Sequence, residues 1–149
     1  MTARKETLTF TNGELAVIGN TLSGFKLKGR ASLGRTWLID HLEELNKQFN
    51  ADRLATQKNF FETDEDGDFV YQKDNKTLIL KDNYTMEEVQ KEFDQLVSEH
   101  VSIEISSYSE RMKALFHALE DYPYELEGQK ALVYALVFDQ FDKAYGKGE

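Results

Sequence analysis

VSIEI, residues 101–105, decides the fold, because it has the clearest strand pattern in the chain. Its three β-branched residues alternate with polar ones, which predicts a strand with one buried face. TLTFT, residues 7–11, alternates in the same way, with Leu8 and Phe10 on one side. We expect these two segments to pair as a small sheet. Since the other patterned segments have helical periodicity, the predicted class is α+β, a helix-rich single domain.

Helical patterns flank the two strand segments. Thr11 and Glu14 have the spacing of a capping box, and the apolar residues that follow predict a short helix over residues 12–23. A second helix is predicted over residues 106–122. Its apolar stripe consists of Tyr108, Met112, Leu115, Phe116 and Leu119. Residues 129–145 include the run ALVYALVF, which also fits a buried strand. We favour a helix there, because the apolar pattern continues beyond the usual length of a strand.

The longest predicted helix lies between the strand segments. Ser32 is placed to cap it, and the pattern extends to Phe61. Its apolar stripe, Leu38, Leu42, Leu45 and Phe49, repeats at intervals of three and four residues, as in a coiled coil.

Another helix and a β-hairpin complete the region between the two strand segments. Thr85 is placed to cap the helix, whose stripe consists of Met86, Val89, Phe93 and Leu96. Residues 69–72 and 77–81 flank a polar turn and predict the hairpin. We expect a long antiparallel helical hairpin with the β-hairpin at its tip. The same stripes could instead pair between two chains, so homo-oligomerisation is an alternative.

Composition predicts one soluble domain over residues 1–149, with a basic loop at 24–35 and an acidic turn and hairpin at 64–82. The chain has 149 residues, 40% of them hydrophobic, which is enough for one core. It has no cysteine, which excludes disulfides and thiolate metal sites. Its longest apolar run has eight residues, against the roughly 20 that a membrane-spanning helix needs. The first residues, MTARKETLTFTNG, lack the apolar region of a secretory signal.

Charge is distributed unevenly along the chain. Residues 1–39 carry a net charge of +4, whereas residues 40–149 carry −13, which gives −9 overall. A field of this sign repels nucleic acid and suits a partner with a basic surface. Acidity also improves solubility, so the imbalance alone need not indicate a partner.

The segment FKLKGRASLGRT, residues 25–36, is the predicted partner-binding site. Its candidate residues are Lys26, Lys28, Arg30 and Arg35, with Trp37 beside them as an anchor. These bases could equally neutralise acids elsewhere, and Trp37 could belong to the core. Because four charges give weak phosphate binding and the rest of the chain opposes it, we expect a protein partner and no direct binding of nucleic acid.

The acidic turn DEDGD is the second candidate surface. Its acidic residues are Asp64, Glu65, Asp66 and Asp68. Read as a calcium-binding EF-hand loop, it has Lys73 where a bidentate Glu is required, so we interpret it as a solvated turn. Two His–Glu pairs, His41 with Glu44 and His117 with Glu120, lack the order and the extra glutamates of a carboxylate-bridged metal site. We therefore predict no metal, no cofactor and no catalytic residues, with a metal-dependent enzyme as the remote alternative.

Four stretches together resemble a known family: LTFTNGELAVIGNTL, FKLKGRASLGRTWLIDHLEEL, DEDGD and VSIEISSYSERMKALFHALEDYPYEL. Their layout is similar to that of a family of small proteins of unassigned function from tailed phages and prophages of Gram-positive bacteria. The resemblance covers the chain except about its last twenty residues. Gly34 and Trp37 replace residues that are usually more polar in the family.

The resemblance implies a phage origin and a context in the host cytoplasm or in virion assembly, and it supplies no catalytic residues. Our leading hypothesis is a non-enzymatic phage accessory protein that acts by protein–protein binding. Two non-enzymatic roles fit. The first is an acidic antagonist of a host or defence factor that handles nucleic acid. The alternative is an assembly or minor structural protein of the phage tail or head.

Overall fold

A computed structural model describes residues 6–146 and confirms the helix-rich α+β class. The chain divides into two compact units, the first formed by Met1–Asn46 with His100–Glu149 and the second by Lys47–Glu99. The single-domain prediction stays a prediction, which a single unfolding transition covering both units would test. Among the described residues, no helix is both long enough and apolar enough to span a membrane.

The sheet has the predicted pairing. Strands β1 (Thr7–Thr11) and β2 (His100–Glu104) are antiparallel, with Leu8 opposite Ile103 and Phe10 opposite Val101. The second strand starts and ends one residue earlier than predicted, at His100 and Glu104. Leu8, Phe10 and Ile103 are buried, so one face of the sheet contributes to the core, as the alternation predicted.

Five α-helices are present in the described part of the chain: α1 (Leu15–Leu22), α2 (Gly29–Phe60), α3 (Met86–Ser98), α4 (Ser109–Glu120) and α5 (Gly128–Tyr145). The capping box before α1 is confirmed, because the Thr11 N–H donates to the Glu14 carboxylate at 2.8 Å. The helical interpretation of residues 129–145 is also confirmed.

The core of the first unit lies between the inner face of the sheet and helices α1, α2, α4 and α5. Its buried side chains are aliphatic and aromatic: Leu8, Phe10, Leu15, Ile18, Leu22, Phe25, Leu38, Leu42, Ile103, Ile105, Met112, Leu115, Phe116, Leu119, Val133, Val137 and Phe141. Tyr108, predicted to lie on the buried stripe of α4, is exposed instead, because it belongs to the turn before that helix.

The start of α2 differs from the prediction. The helix begins at Gly29, three residues before the predicted cap Ser32, so residues 29–35 are helical and the predicted basic loop 24–35 is wrong there. Gly29 has φ +61°, a left-handed conformation that glycine adopts without steric cost. Ser32 lies in the first turn, where its hydroxyl accepts a hydrogen bond from Arg35 at 3.3 Å.

The second unit consists of the end of α2, a region of short β-bridges and α3. The predicted hairpin forms as single bridges, such as that between Tyr71 and Leu78, rather than as two strands. The ring of Phe60 contacts that of Tyr84, which precedes α3, at 4.8 Å. Thr56, one turn before Phe60 in α2, lines a depression together with the C-terminal end of α3. The end of α2 therefore lies near the start of α3, and within this unit α2 and α3 run in opposite directions.

Few side chains are buried in the second unit. Phe49, Phe61 and Val89 are its buried apolar residues. The prediction that Met86 lies on the buried stripe of α3 is wrong, because Met86 is 59% exposed. The unit therefore has a thin core, and local interactions at its caps and turns contribute much of its order.

One such turn is formed by residues 74–77, just before Leu78. The Asp74 carboxylate accepts hydrogen bonds from the N–H groups of Lys76 and Thr77 at 2.8 and 2.9 Å and from the Thr77 hydroxyl at 2.5 Å. The hydroxyl of Thr77, followed by these backbone donors, lowers the pKa of Asp74. Asn75 beside it has φ +58°, a left-handed conformation that asparagine tolerates better than other non-glycine residues.

Candidate functional site

The structure separates the five predicted partner-binding residues into three environments. Arg35 points inward: its guanidinium donates to the carbonyl oxygens of Phe25 and Leu22, the latter at 3.4 Å, and to the Ser32 hydroxyl. Those carbonyls lie at and beyond the end of α1, where helix carbonyls lack intrahelical partners. Because both terminal nitrogens of its guanidinium bond groups within the fold, we leave Arg35 out of any partner-binding surface.

Arg30 and Trp37 share one face of α2, since they are seven residues apart. Leu33 lies between them on that face and is 51% exposed. The Arg30 Nη1 lies 3.3 Å from the Glu110 carboxylate, and both side chains are largely exposed, so this ion pair is weak. Trp37 is half-buried and packs against the core with part of its ring.

Residues from the start of α4 extend this face. The ring of Tyr108 meets that of Trp37 edge-on, with 6.0 Å between centroids, and the guanidinium of Arg111 lies 4.2 Å from the Tyr108 centroid. Arg30, Leu33, Tyr108 and Arg111 line a shallow depression of about 400 Å³. We call Arg30, Leu33, Trp37, Tyr108 and Arg111 the α2–α4 surface.

Gly34 brings the two helices together at this surface. A Cβ atom added to Gly34 would lie 2.6 Å from the Arg111 carbonyl oxygen, closer than carbon and oxygen atoms pack. Glycine is therefore the residue that allows α4 to approach α2 here. This approach brings the ring of Tyr108 to Trp37 and the guanidinium of Arg111 to Tyr108, so the contact between the helices determines the geometry of the surface.

Lys26 and Lys28 precede α2 and occupy the third environment. The Lys26 N–H donates to the Tyr122 hydroxyl at 3.0 Å, and its ammonium lies 4.7 Å from the ring centroid of Tyr124. Lys28 is exposed and forms no ion pair with any residue in 6–146. The partner-binding role of both lysines stays a prediction.

The acidic turn Asp64–Asp68 lies in the second unit, and its four acidic side chains are exposed. The Asp64 carboxylate accepts the N–H groups of Asp66 and Asp68 at 2.9 and 3.0 Å, and Gly67 has φ +85°. These bonds form the turn internally and leave the other carboxylates facing solvent. The turn prediction is confirmed, and a binding role for it stays a prediction.

The two His–Glu pairs do not converge. His117 contacts Glu120 at 2.9 Å, whereas His41 Nδ1 contacts the Trp37 carbonyl oxygen at 3.0 Å and its ring stacks on the indole at 3.9 Å. Within residues 6–146, no group of three or more His, Asp or Glu side chains is arranged to hold a metal ion.

A hydrogen-bonded network that sequence reasoning missed joins β1 to α4 and α5. The Glu6 carboxylate accepts hydrogen bonds from the hydroxyls of Ser109 at 2.5 Å and Tyr145 at 2.8 Å. The bond from Ser109, followed by that from Tyr145, lowers the pKa of Glu6. Burial, followed by the bond to Glu6, raises the pKa of Tyr145. Both pKa shifts favour the state in which Glu6 is a carboxylate and Tyr145 is a neutral phenol that donates to it. This hydrogen-bonded pair therefore has a structural role.

A groove of about 1060 Å³ runs between β1 and α5. Leu132, Ala135 and Leu136 form its apolar wall, and Leu132 is 70% exposed. Gln140 crosses the groove and accepts the Thr9 N–H at 2.9 Å. The sequence signal for this exposed wall is that residues 131–138 are apolar on all sides, more than one buried helix face requires.

A family model described as "Protein of unknown function (DUF1617)" matches residues 6–149, so the chain belongs to that family. The match includes the last twenty residues, which the resemblance noted from the sequence did not cover. No match to the chain was found among curated proteins or among solved structures. The phage origin stays a prediction.

Proposed function

We propose that this member of the DUF1617 family is a non-enzymatic phage accessory protein that binds a protein partner through the α2–α4 surface. The observation that carries this proposal is the contact of exposed Tyr108 with two partly exposed side chains, Trp37 and Arg111. Tryptophan, tyrosine and arginine are the residues that most often dominate the energy of protein interfaces. Exposed Leu33 adds an apolar contact beside them.

The expected partner presents carboxylates next to an apolar side chain. Arg30 and Arg111 offer guanidinium groups, which bind carboxylates in a defined geometry. The whole chain has a net charge of −9, so an acidic partner is repelled except where these bases lie. Charge therefore selects the orientation of docking, and the aromatic residues supply most of the binding energy.

A second role is supported by the charge of the other unit. Residues 47–99 hold seven Lys or Arg against thirteen Asp or Glu, a net −6 of the total −9. The exposed turn Asp64–Asp68 belongs to this unit. Such a surface suits an antagonist that competes with nucleic acid for a basic host or defence factor in the host cytoplasm. Assembly of the phage tail or head is the alternative role, and it predicts the protein in purified virions.

Paired variants test the α2–α4 surface. We expect R30A/L33S, which changes two exposed residues, to lose a partner that the wild type retains in quantitative affinity purification from infected cells. The matched control K47A/L54S removes one exposed cation and one exposed leucine from the same helix within the second unit, and it should retain that partner. Equal recovery with both variants would contradict the proposal.

Salt dependence tests the antagonist role. Binding of a basic factor to the acidic unit should weaken steeply between low and moderate salt, because exposed charges are screened over about 10 Å at 0.1 M. Replacing Asp64, Glu65, Asp66 and Asp68 by Asn or Gln should flatten that dependence. Binding that does not respond to salt would exclude this role.

A further inference from the structure

The hydrogen bonds of β1 show which backbone groups of β2 point away from β1, toward the outer edge of the sheet. The N–H groups of Thr9 and Thr11 bond side chains, Gln140 and Glu14 respectively, so they do not point at β2. In an antiparallel pair, bonding positions alternate along each strand. The bonded pairs are therefore Leu8 with Ile103 and Phe10 with Val101.

The same alternation fixes which backbone groups of β2 face outward. They belong to His100, Ser102 and Glu104, the residues opposite the non-bonded positions of β1. All three residues are exposed, and no backbone or side-chain group within residues 6–146 bonds the N–H groups of Ser102 and Glu104. The outer edge of β1 differs, because Gln140 and Glu14 occupy two of its donors. Open strand edges of this kind pair readily with another strand.

The sequence of β2, HVSIE, is complementary to itself when reversed. If a second copy of β2 lies antiparallel with Ser102 opposite Ser102, each His100 faces Glu104 of the other copy. Ser102 is then a bonded position, which its outward N–H and C=O groups require. One Glu104 oxygen accepts from Ser106 at 3.1 Å, and the other remains available to the facing His100.

The opposite face of the strand also matches in this register. Val101 faces Ile103 of the second copy, so the apolar face of the sheet continues from one chain to the next. Val101 is only half-buried in the single chain, and this contact covers it further. Cross-strand pairs of β-branched residues and of polar side chains that hydrogen-bond each other both stabilise antiparallel sheets.

We propose that β2 pairs with β2 of a second copy of this chain, forming a symmetric dimer with the strand order β1–β2–β2–β1. The occupant is a second copy because reversal of the same five residues places a His100 imidazole opposite a Glu104 carboxylate at both ends, where the two side chains can form a hydrogen bond. A five-residue strand pair buries less than the roughly 1,200 Å² of a standard stable interface, so the dimer is weak and forms with rising concentration. This inference concerns a different surface from the α2–α4 surface and does not depend on it.

Charge exchange tests the register. Sedimentation velocity from about 10 µM to about 1 mM should show the wild type passing from monomer to dimer. H100E places two carboxylates opposite each other at both ends and should raise the dissociation constant about tenfold to thirtyfold. H100E/E104K keeps the same substitution at position 100 but faces it with a lysine, and it should restore wild-type affinity. An unchanged dimer in H100E, or no recovery in the double variant, would overturn the proposal.

Amide hydrogen exchange followed by NMR locates the contact independently. The N–H groups of Ser102 and Glu104 should exchange quickly at low concentration and become protected as the dimer forms. S102P removes a donor that the monomer does not use, and it should abolish the dimer while the Leu8 and Phe10 amides stay protected. A protein that remains monomeric throughout, or a dimer in which Ser102 stays unprotected, would overturn the proposal. Protection of Ser102 that is independent of protein concentration would indicate another occupant and would equally overturn it.

Discussion

Replacing Gly34 by alanine should destabilise the first unit by about 2 kcal/mol. The added Cβ would lie 2.6 Å from the Arg111 carbonyl oxygen and 3.2 Å from Met112 Cε. Overpacking costs about 1–3 kcal/mol, and we expect the upper part of this range because the obstructing atom is backbone. The higher helix propensity of alanine returns about 1 kcal/mol. The melting temperature should therefore fall by about 4–8 °C, measured by circular dichroism.

Gly19→Ala is the matched control, because Gly19 also lies inside a helix but has space beside it. A Cβ there would lie 4.0 Å from Leu42 Cβ, an ordinary contact, so the propensity gain should stabilise the protein by about 0.5–1 kcal/mol. The single tryptophan, Trp37, gives a second readout, since its emission should change in the Gly34 variant only. Shifts of the same sign in both variants, or a Gly34 variant as stable as the wild type, would refute the reasoning.

Three further predictions concern single side chains. Arg35→Ala should cost about 1–2 kcal/mol in urea unfolding, because the carbonyls of Leu22 and Phe25 lose a charged donor; an unchanged midpoint would contradict this. Glu6→Gln should be less stable than the wild type at pH 7, and the difference should shrink as the pH falls below the ordinary range of a glutamate pKa and through the lowered pKa of Glu6, because the stability that the carboxylate gives is lost on protonation. A difference that stays constant with pH would exclude this linkage. Asn75→Ala should lower the stability of the second unit by about 1 kcal/mol, because φ is +58° at this position, whereas Asn75→Gly should not. Amide hydrogen exchange measures both variants, and equal effects would argue against backbone strain.

The strands and most helices could be predicted because their signals are local. The alternation in residues 7–11 and 101–105 indicates burial on one side. The first strand has the predicted bounds, and the second is shifted by one residue toward the N-terminus at both ends. The start of α2 could not be predicted, since Ser32 has the chemistry of a cap. The left-handed conformation of Gly29 three residues earlier leaves no mark in the pattern.

Only part of the candidate surface could be predicted from the sequence. The spacing of Arg30 and Trp37 places them on one face of a helix, so their proximity follows from the sequence. Tyr108 and Arg111 join them through tertiary packing, across some seventy residues of chain. Arg35 looks like its basic neighbours in the sequence, but its acceptors are backbone carbonyls, which no residue pattern reveals.

The long separation between β1 and its neighbours has a consequence during synthesis on the ribosome. Thr11 emerges about ninety residues before His100, with which it pairs, and Thr9 is 131 residues ahead of Gln140. At about 10 residues per second, β1 waits roughly ten seconds before its full set of partners exists. The first unit therefore completes its folding late in translation, and nascent chains that stop before α5 should be substrates for chaperones and proteases.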